Sequence, residues 1–312
     1  MQKMKKCVVI YNPNSGKKEV DKLLPKFESE LNKYGYTGEI ISTSHKGHAT
    51  EIVESLDSSI DLVISIGGDG TFNESMTGNF KRKERLVLSH IPVGTTNDIG
   101  TMFGYGKNVL SNLRLTLEGK IQKIDICMIN NRPFIYSAGF GKFMNIPYET
   151  PRELKKKIGH LAYLTEGAKS LTSKTKLYDV TYEMDGIKTR GLFSFFIITS
   201  ANRIAGINNF YKDVKLDDNK FEVLMCNMTT KVDIIRSLYF LTMYDATRVP
   251  GFYFHKTDNL KIKFNTPLDK AWCIDGEELE PIDDSYEIKI QRNVEILMPT
   301  KNVDKLFVNK KN

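Results

Sequence analysis

Apolar and polar residues alternate along the first 130 positions in blocks of two different periods. Apolar runs of strand length predict four β-strands, over 7–11, 38–42, 61–66 and 86–91. Between them, apolar residues three or four positions apart predict helices over about 20–35, 49–56, 71–80 and 108–118. Pro25 either kinks the first helix or marks its start. Strands that alternate with helices predict an α/β domain with a largely parallel sheet.

After about residue 129 the pattern changes to β-rich runs bounded by turn residues. Strands are predicted over 177–184, 191–199, 221–227, 260–264 and 286–290. Asp185-Gly186 predicts a turn, and two helical stretches interrupt the series, over 152–170 and 232–244. We therefore expect two domains, an α/β domain over 1–129 and a β-rich domain over 130–292. The basic tail from residue 302 is expected to be loosely held.

Length and composition agree with this division. The 312 residues are 40% hydrophobic and 27% charged, which is ordinary for a globular protein with a full core. The four cysteines are far apart and form no C-x-x-C pair, and the five histidines show no metal-binding spacing. These features predict reduced, buried thiols in a cytoplasmic protein.

Charge and hydropathy narrow the range of partners. The net charge of +7 favours an anionic partner such as a nucleotide, a nucleic acid or an acidic lipid surface. Nucleic acid is the weakest of the three, because the sequence has no zinc-finger spacing and no RNA-binding aromatic signature. No run approaches the roughly 20 apolar residues of a spanning helix, and the apolar run near the start is too short for a signal peptide. Any membrane contact is therefore expected to be peripheral.

Three of the predicted strands run into polar loops that contain glycine. These loops are Asn12-Pro13-Asn14-Ser15-Gly16-Lys17, Gly67-Gly68-Asp69-Gly70-Thr71 and Pro92-Val93-Gly94-Thr95-Thr96-Asn97-Asp98. Glycines let backbone N–H groups approach a phosphate without a Cβ in the way, and open parallel sheets bind ligands at the carboxyl ends of their strands. The loops thus predict one nucleotide site, with Asp69 placed to hold Mg²⁺ or orient a hydroxyl. A plain tight turn before a helix is the alternative for the second loop.

With these loops the sequence resembles the diacylglycerol kinase catalytic-domain family, and within it the soluble bacterial lipid kinases. The resemblance covers almost the whole chain. Two later motifs support it, the stretch Lys215-Leu216-Asp217-Asp218-Asn219-Lys220-Phe221, which is similar to the family's metal-binding turn, and Asp275-Gly276-Glu277, which is similar to its catalytic triplet.

The resemblance implies a two-domain fold. An N-terminal α/β domain with a parallel sheet, like those of NAD kinase and phosphofructokinase, would bind ATP, and a C-terminal antiparallel β-sandwich would take the lipid. The active site would lie in the cleft between them. The resemblance also allows the tail, about 293–312, to return to the first domain.

The implied reaction is phosphoryl transfer from ATP to a lipid hydroxyl, which depends mainly on positioning and charge neutralisation. By the resemblance, the residues that contact the nucleotide would be Asn12, Pro13, Asn14, Ser15, Gly16, Thr43, Gly67, Gly68, Asp69, Gly70, Thr71, Phe72, Asn73 and Thr95. Asp69 would lie near the metal and the phosphates. Asn97 and Asp98 are second-rank candidates, for which a helix N-cap is the alternative.

A hydroxyl that attacks phosphorus needs a carboxylate to accept its proton. Asp275 and Glu277 are two residues apart, so in an extended segment they would share one side. The resemblance points to Glu277 as the proton acceptor with Asp275 beside it. A solvated acidic hairpin is the alternative, since Glu278 and Glu280 follow closely.

The remaining candidates are acids outside the triplet. Asp217-Asp218 alone is typical of a β-turn. By the resemblance, Asp218 and the backbone carbonyls of Lys215 and Lys220 would hold a Mg²⁺ ion, for which hard oxygen ligands are suited. Asp217 would join this turn to the nucleotide metal. Asp125 matches a family acid of the same network, with a structural interdomain hydrogen bond as the alternative.

Features that bear on the lipid are less specific. Segment 152–176 carries six lysines among leucines and isoleucines, a composition that suits an anionic bilayer as well as a charged helix face in water. Phe252-Tyr253-Phe254 predicts a core strand rather than an insertion loop. Gly141-Lys142-Phe143-Met144-Asn145 departs from the family pattern, which leaves the lipid pocket open.

The sequence therefore predicts a lipid kinase that uses ATP and Mg²⁺ to phosphorylate diacylglycerol at the inner face of the membrane, with a homodimer left open. A kinase for a sphingoid or other lipid alcohol is the nearest alternative. NAD kinase shares the Gly-Gly-Asp-Gly-Thr loop but lacks the third loop and the late triplet. A sensor without turnover is disfavoured by four intact acids, Asp69, Asp218, Asp275 and Glu277.

Overall fold

The protein is described by a computed structural model, which covers residues 4–16, 20–94, 96–144, 174–204, 207–208, 210–211, 213–279, 283–301 and 303–308. The chain divides into two compact units, unit 1 with Met1–Asp125 and Arg292–Asn312, and unit 2 with Ile126–Gln291. Three sequence predictions lie outside the described residues, namely the helix at 152–170, most of the lysine-rich segment, and the nucleotide contact of Thr95.

Unit 1 is built on a parallel sheet. Its strands are β1 (Lys5–Tyr11), β2 (Tyr36–Ser42), β3 (Leu62–Gly67), β4 (Leu88–Pro92) and the first part of β5 (Lys120–Ile129). Its helices are α1 (Leu24–Lys33), α2 (His48–Ser55), α3 (Asp69–Lys81), α4 (Asp98–Met102) and α5 (Val109–Leu117). The strand order is β2-β1-β3-β4, every pair is parallel, and β4 then pairs with the end of β18 (Ser285–Met298). The predicted α/β alternation is confirmed.

Burial on both faces of the sheet in unit 1 explains why the sequences of its strands are continuous apolar runs. Every residue of β3 is buried, as expected for a parallel sheet with helices on its faces. Phe27 and Leu31 of α1 belong to the same buried cluster as Val9 and Ile64 of the sheet. Pro25 occupies the first turn of α1, after a 3-10 turn at Asp21–Leu23. It therefore marks the start of the helix, where its missing N–H costs nothing.

The chain end contributes to unit 1 as well. A 3-10 helix spans Asp304–Leu306, and Val303 and Leu306 are fully buried. The expectation of a loosely held tail is wrong for residues 303–308, because two apolar side chains fix this stretch by their burial.

Unit 2 is an antiparallel β-sandwich, as predicted. Its further strands are β6 (Arg132–Phe134), β7 (Ser137–Gly141), β8 (Tyr178–Met184), β9 (Ile187–Phe193), β10 (Phe195–Thr199), β11 (Arg203–Ile204), β12 (Ile207–Asn208), β13 (Phe221–Cys226), β14 (Phe252–Thr257), β15 (Asn259–Phe264), β16 (Trp272–Ile274) and β17 (Glu277–Leu279). Where this unit is described, its helices are α6 (Lys231–Met243) and a 3-10 turn at Ala246–Arg248. One sheet has the order β14-β13-β10-β7-β16-β17, and the other continues from β18 through β15 and β8 to β9.

Both sheets of unit 2 line one core. Phe140 of β7 and Phe264 of β15 come from opposite sheets, and their ring centroids are 4.7 Å apart. Trp272, Phe196 and Tyr286 belong to the same buried cluster. In β10 and β13, alternate residues point into this layer, which is the period-two pattern of a sandwich.

Two strand predictions in unit 2 need correction. The run 191–199 is not one strand, because the chain passes from one sheet to the other at Ser194, whose N–H and Oγ both donate to the Cys226 carbonyl, at 2.6 and 3.0 Å. Residues 252–254 do form a strand, but β14 is the edge of its sheet and Tyr253 is 47% exposed. Apolar content alone could not distinguish an edge strand from a core strand.

The prediction of reduced, buried thiols is confirmed, because all four cysteines are buried and none forms a disulfide. In the part of the chain that the structure describes, no helix combines the length and the apolar content that crossing a membrane requires.

An ion pair between α1 and α5 predicts a pH dependence of stability. Arg114 donates to both carboxylate oxygens of Glu30 at 3.0 Å, Lys33 adds a contact of 2.9 Å, and these cations lower the pKa of Glu30 to about 2. Stability from this depressed pKa is present above the ordinary glutamate value of about 4.3 and is lost as the pH falls towards 2. Melting temperatures between pH 6 and pH 2.5 should therefore fall more steeply in the native protein than in Glu30→Gln. Equal slopes would contradict the pairing, and the exposed Glu39→Gln serves as the control.

Candidate active site

The polar loops of unit 1 lie at the carboxyl ends of neighbouring parallel strands. Thr43 follows β2 and its N–H donates to the Tyr11 carbonyl at 2.9 Å, while Asn12 follows β1 and donates to Ile66 at 3.0 Å. Val93 follows β4 and donates to the Gly67 carbonyl at 2.8 Å. These bonds extend the sheet by one residue into each loop. The structure thus brings the three glycine-containing loops, and Thr43, to one edge of the sheet.

Glycines allow the loops to touch. A Cβ on Gly16, whose φ is +60°, would lie 2.3 Å from the Val93 carbonyl oxygen, so the first loop packs on the third at backbone distance. A Cβ on Gly94 would lie 2.8 Å from the Cα of Gly68, so the third loop packs on the second in the same way. No other residue type fits at either contact without moving backbone.

Asp69 joins the second loop to the third. It is the first residue of α3, which begins two residues earlier than the sequence predicted. Its Oδ2 accepts the N–H of Asp98 at 3.0 Å and its Oδ1 accepts that of Ile99 at 3.3 Å. The carboxylate is therefore turned towards the start of α4, and it holds the two loops in one arrangement.

Asn97 and Asp98 lie where the helix-cap alternative placed them. Asn97 is the cap residue of α4 in a left-handed conformation, but its side chain makes no cap hydrogen bond. Its Nδ2 instead donates to the Gly94 carbonyl at 2.9 Å, and its Oδ1 is buried without a hydrogen-bond partner among the described residues. A buried acceptor in this state is a place where a ligand donor would be favourable.

Two further residues predicted to contact the nucleotide, Asn12 and Phe72, differ in how their side chains are engaged within the protein. Asn12 shapes the first loop, because its Oδ1 accepts the N–H of Asn14 at 2.9 Å, and its Nδ2 lies 3.5 Å from Thr71 Oγ1. The Phe72 side chain is fully buried and stacks on His90 at 4.8 Å, so Phe72 can meet a nucleotide only through its backbone. Burial lowers the pKa of His90 to about 3, which keeps this ring neutral.

Open space remains in front of α3. A Cβ on Gly68, which precedes the helix, would have the Gly94 Cα as its nearest neighbour, at 3.7 Å, an ordinary contact. The protein itself therefore does not require glycine at position 68. The first N–H groups of a 13-residue helix point into this space and, with the helix dipole, favour an anion. The space and its donors fit a nucleotide phosphate.

This difference between glycines gives a testable prediction. Gly68→Ala should leave the melting temperature unchanged, because its methyl group meets only van der Waals contacts, and should weaken ATP binding by at least about tenfold, because the methyl group occupies the phosphate space. Isothermal titration calorimetry with ATP measures the effect. Gly106→Ala is the matched control, since a Cβ there would lie 4.0 Å from Asn112 Oδ1. Unchanged ATP affinity in Gly68→Ala would contradict the site.

The acidic triplet of unit 2 differs from the prediction. Asp275 and Gly276 form the two-residue turn between β16 and β17, and both have positive φ, of 48° and 82°. This is the geometry of a tight hairpin rather than of an extended segment. The prediction of an extended segment is therefore wrong, because the turn reverses the chain between the two acids.

The two acids of the triplet have different surroundings. Asp275 is 3% exposed, and its carboxylate accepts the N–H groups of Ile135, Tyr136 and Ser137 at 2.7 to 3.0 Å. It holds the loop that leads into β7. Glu277 is the first residue of β17 and is partly exposed. Of the pair, Glu277 is the more accessible carboxylate.

The turn proposed to bind a metal is organised by lysine. Asp218 Oδ1 accepts the N–H of Lys220 at 3.1 Å, as in a side-chain-stabilised turn. Asp218 Oδ2 lies 2.7 Å from Lys256 Nζ. The same Lys256 Nζ lies 3.3 Å from Glu222 Oε1. Burial raises the pKa of Glu222 to about 7 against the opposing attraction of Lys256.

These contacts bear on the metal. In the described ranges, no group of three His, Cys, Asp or Glu side chains could hold one. The cation beside Asp218 is Lys256, which the sequence analysis missed. The strand register, which pairs Glu222 with Lys256 across β13 and β14, would have been the signal. Metal binding by Lys215, Asp218 and Lys220 stays a prediction.

Asp125 and Asp217, the two acids predicted to join the metal sites, both lie in described parts of the chain. Asp125 lies in β5 at the end of unit 1 and is 7% exposed. Asp217 is partly exposed in the turn before β13. Their role in joining metals stays a prediction.

Comparison with known proteins identifies the protein family. The family model described as the diacylglycerol kinase catalytic domain matches residues 6–129. A diacylglycerol kinase of Staphylococcus aureus (strain MRSA252) is 30% identical over 306 residues, 98% of this chain and 96% of the relative. A diacylglycerol kinase of Staphylococcus epidermidis (strain ATCC 12228 / FDA PCI 1200) is 31% identical over 296 residues, 95% and 92% of the two chains.

A solved structure shares the fold. The crystal structure of a diacylglycerol kinase from Bacillus anthracis str. Sterne superimposes with a TM-score of 0.78 at 21% identity, over 96% of this chain and 99% of that one. The match in fold agrees with the parallel sheet of unit 1 and the sandwich of unit 2. Identity of 30% along nearly the full length confirms the predicted family. The chain belongs to the diacylglycerol kinase family and is therefore a kinase.

Proposed function

We propose that this protein transfers the γ-phosphoryl group of ATP to the hydroxyl of diacylglycerol, giving phosphatidic acid, and that it requires Mg²⁺. Membership of a kinase family implies the use of ATP. The observation that carries the proposal is the glycine-lined space at the start of α3, where three loops meet and where position 68 has no structural need for glycine.

The chain supplies positioning for the phosphates. The N–H groups at the start of α3 bind phosphate oxygens, the first loop and Thr43 border the same edge, and Asp69 keeps the second and third loops in register. A carboxylate has about four lone-pair positions, so Asp69 can accept two N–H groups and still face a metal-bound water. When bound with ATP, Mg²⁺ supplies neutralisation of the charge on the phosphate oxygens.

The proton of the lipid hydroxyl goes to Glu277. Its carboxylate is partly exposed at the start of β17, whereas the oxygens of Asp275 already accept three N–H groups. Asp275 therefore acts as a positioning residue, which fixes the hairpin that carries Glu277. A carboxylate that must accept a proton needs to be reachable by the hydroxyl.

The substrate class rests on the relatives. Those at 30 to 31% identity are named diacylglycerol kinases, and they match this chain over almost its whole length. Diacylglycerol resides in a bilayer, so the proposal includes peripheral docking of a cytoplasmic protein at the inner membrane face. Such docking suits the net charge of +7.

A substrate panel tests the proposal. Purified protein is incubated with γ-labelled ATP and mixed micelles that contain diacylglycerol, sphingosine or monoacylglycerol, or with NAD in solution, and the products are separated by thin-layer chromatography. We expect labelled phosphatidic acid that disappears when EDTA removes Mg²⁺. Preferred labelling of sphingosine would replace the substrate, and labelling of NAD or of no acceptor would overturn the lipid kinase.

A further inference from the structure

Helix α6 carries apolar residues on its exposed side as well as on its buried side. Ile234 and Ser237 on its inner side are buried. Four large apolar residues on the other side are exposed, Val232 by 74%, Ile235 by 56%, Tyr239 by 65% and Met243 by 63%. Their spacing of three, four and four residues places them on one face of the helix. We call these four residues the α6 stripe.

The exposure of four large apolar side chains on one helix face is unusual. Single exposed apolar residues are common on protein surfaces, but a surface helix normally directs polar residues to water. A contiguous apolar patch typically marks a contact with another protein or with a membrane. Because α6 has 13 residues, its length is about 20 Å, too short to cross a bilayer. A membrane would therefore have to receive it lengthwise.

The charges around the stripe select a lipid surface. Lys231 and Arg236 are both exposed on α6, and the Arg236 guanidinium lies 5.7 Å from the centre of the Phe240 ring. Asp233, the acid of this helix, pairs with the cap residue Thr230: its Oδ2 accepts the Thr230 hydroxyl, and its N–H donates to Thr230 Oγ1 at 3.1 Å. By the helical period its position lies off the stripe. Basic side chains beside apolar and tyrosine residues are the composition of helices that lie in the interface of an anionic bilayer.

We propose that α6 is the membrane-docking element of this protein, with the α6 stripe inserted among the acyl chains and Lys231 and Arg236 on lipid phosphates. The inference rests on the proposed function, since a kinase for diacylglycerol must work on a substrate held in the bilayer. It assigns the docking role to residues 231–243, which the sequence analysis had interpreted only as a helix.

The test compares vesicle binding of matched variants. The double variant Ile235→Ser, Tyr239→Ser changes the stripe, and the double variant Ile187→Ser, Leu192→Ser removes apolar residues that are 69% and 54% exposed in β9 of the same unit. Co-sedimentation uses vesicles of phosphatidylglycerol and phosphatidylcholine in equal parts, and vesicles of phosphatidylcholine alone. Thermal unfolding establishes that all proteins are folded.

We expect the native protein and the β9 variant to bind the anionic vesicles alike, and the stripe variant to bind at least about tenfold more weakly. Arg236→Gln should weaken binding to the anionic vesicles and leave binding to the phosphatidylcholine vesicles unchanged. The proposal would be overturned if the stripe variant bound vesicles as tightly as the native protein does, or if the β9 variant lost as much vesicle affinity as the stripe variant. So would a native dimer that becomes monomeric in the stripe variant while vesicle binding is unchanged, because a second copy would then cover the stripe.

Activity on a dissolved substrate separates this inference from the proposed function. With a short-chain diacylglycerol kept below its critical micelle concentration, the stripe variant should turn over within about twofold of the native protein, because this substrate is reached without docking on a lipid surface. If the native protein phosphorylates no lipid alcohol, the proposed function fails. If it does so and the stripe variant still binds vesicles normally, only the docking assignment fails.

Discussion

Asp69→Ala is expected to lower the turnover of ATP with diacylglycerol by at least about a thousandfold, because it removes the preorganised charge that the proposed function places near the phosphates and because it frees the third loop. Two backbone N–H groups, those of Asp98 and Ile99, lose their acceptor. That loss should also reduce the free energy of unfolding by about 1 to 3 kcal/mol. Steady-state kinetics and thermal unfolding measure the two effects.

Two further variants sharpen this result. Asp69→Asn keeps one acceptor oxygen but turns an amide NH₂ towards a backbone donor, so it should also be strongly impaired. Glu84→Ala removes an exposed carboxylate of the same unit and should behave like the native protein. A near-native rate in Asp69→Ala would show that neither the charge nor the link between the loops matters for phosphoryl transfer.

The second large effect is expected at Glu277. Glu277→Gln should reduce kcat by about 10² to 10⁴ without changing the melting temperature, since it removes the proposed proton acceptor and general bases typically contribute a rate effect of this size. The side chain is partly exposed and the replacement is isosteric. Glu278→Gln is the matched control, because the next residue of β17 points to the opposite face and is exposed. A native kcat in Glu277→Gln would remove Glu277 from the chemistry.

Asp275→Ala should fail in a different way. Its carboxylate is the acceptor of three buried N–H groups, and each buried donor left without a partner costs about 1 to 3 kcal/mol. We expect a clear fall in melting temperature, with lost activity as its consequence. If Asp275→Ala melted like the native protein but had lost kcat, Asp275 would be a catalytic residue, and the positioning role would be wrong.

Several elements could be predicted because their causes are local. The order of strands and helices in unit 1 follows from the period of apolar residues, and Pro25 marks a helix start because its ring suits the first turn. The motif loops were recognised because glycines and polar residues directly follow apolar runs. The predicted bounds in unit 1 were within a few residues of the observed ones, and the largest consequence of such an error was at α3, whose earlier start makes Asp69 a helix residue. In unit 2 the strand predicted over 286–290 is much longer, Ser285–Met298, because it continues into the sheet of unit 1.

Other features could not be predicted because they depend on distant partners. The break at Ser194 exists because the Cys226 carbonyl, 32 residues away, binds it. The Asp275 side chain turns inward because it accepts hydrogen bonds from backbone N–H groups about 140 residues earlier in the chain. The pairing of Lys256 with Asp218 and Glu222 likewise requires the strand register.

By itself the sequence determined the kinase family, the alternation that builds unit 1, the change to β-structure in unit 2, and the loops that carry glycine, because each is encoded in neighbouring residues. Only the tertiary structure decided which glycine leaves space for a phosphate, which acid of the triplet is engaged by backbone N–H groups, and that α6 exposes an apolar face. Those properties depend on which atoms occupy the surrounding volume, and a chain acquires that surrounding only when it is folded.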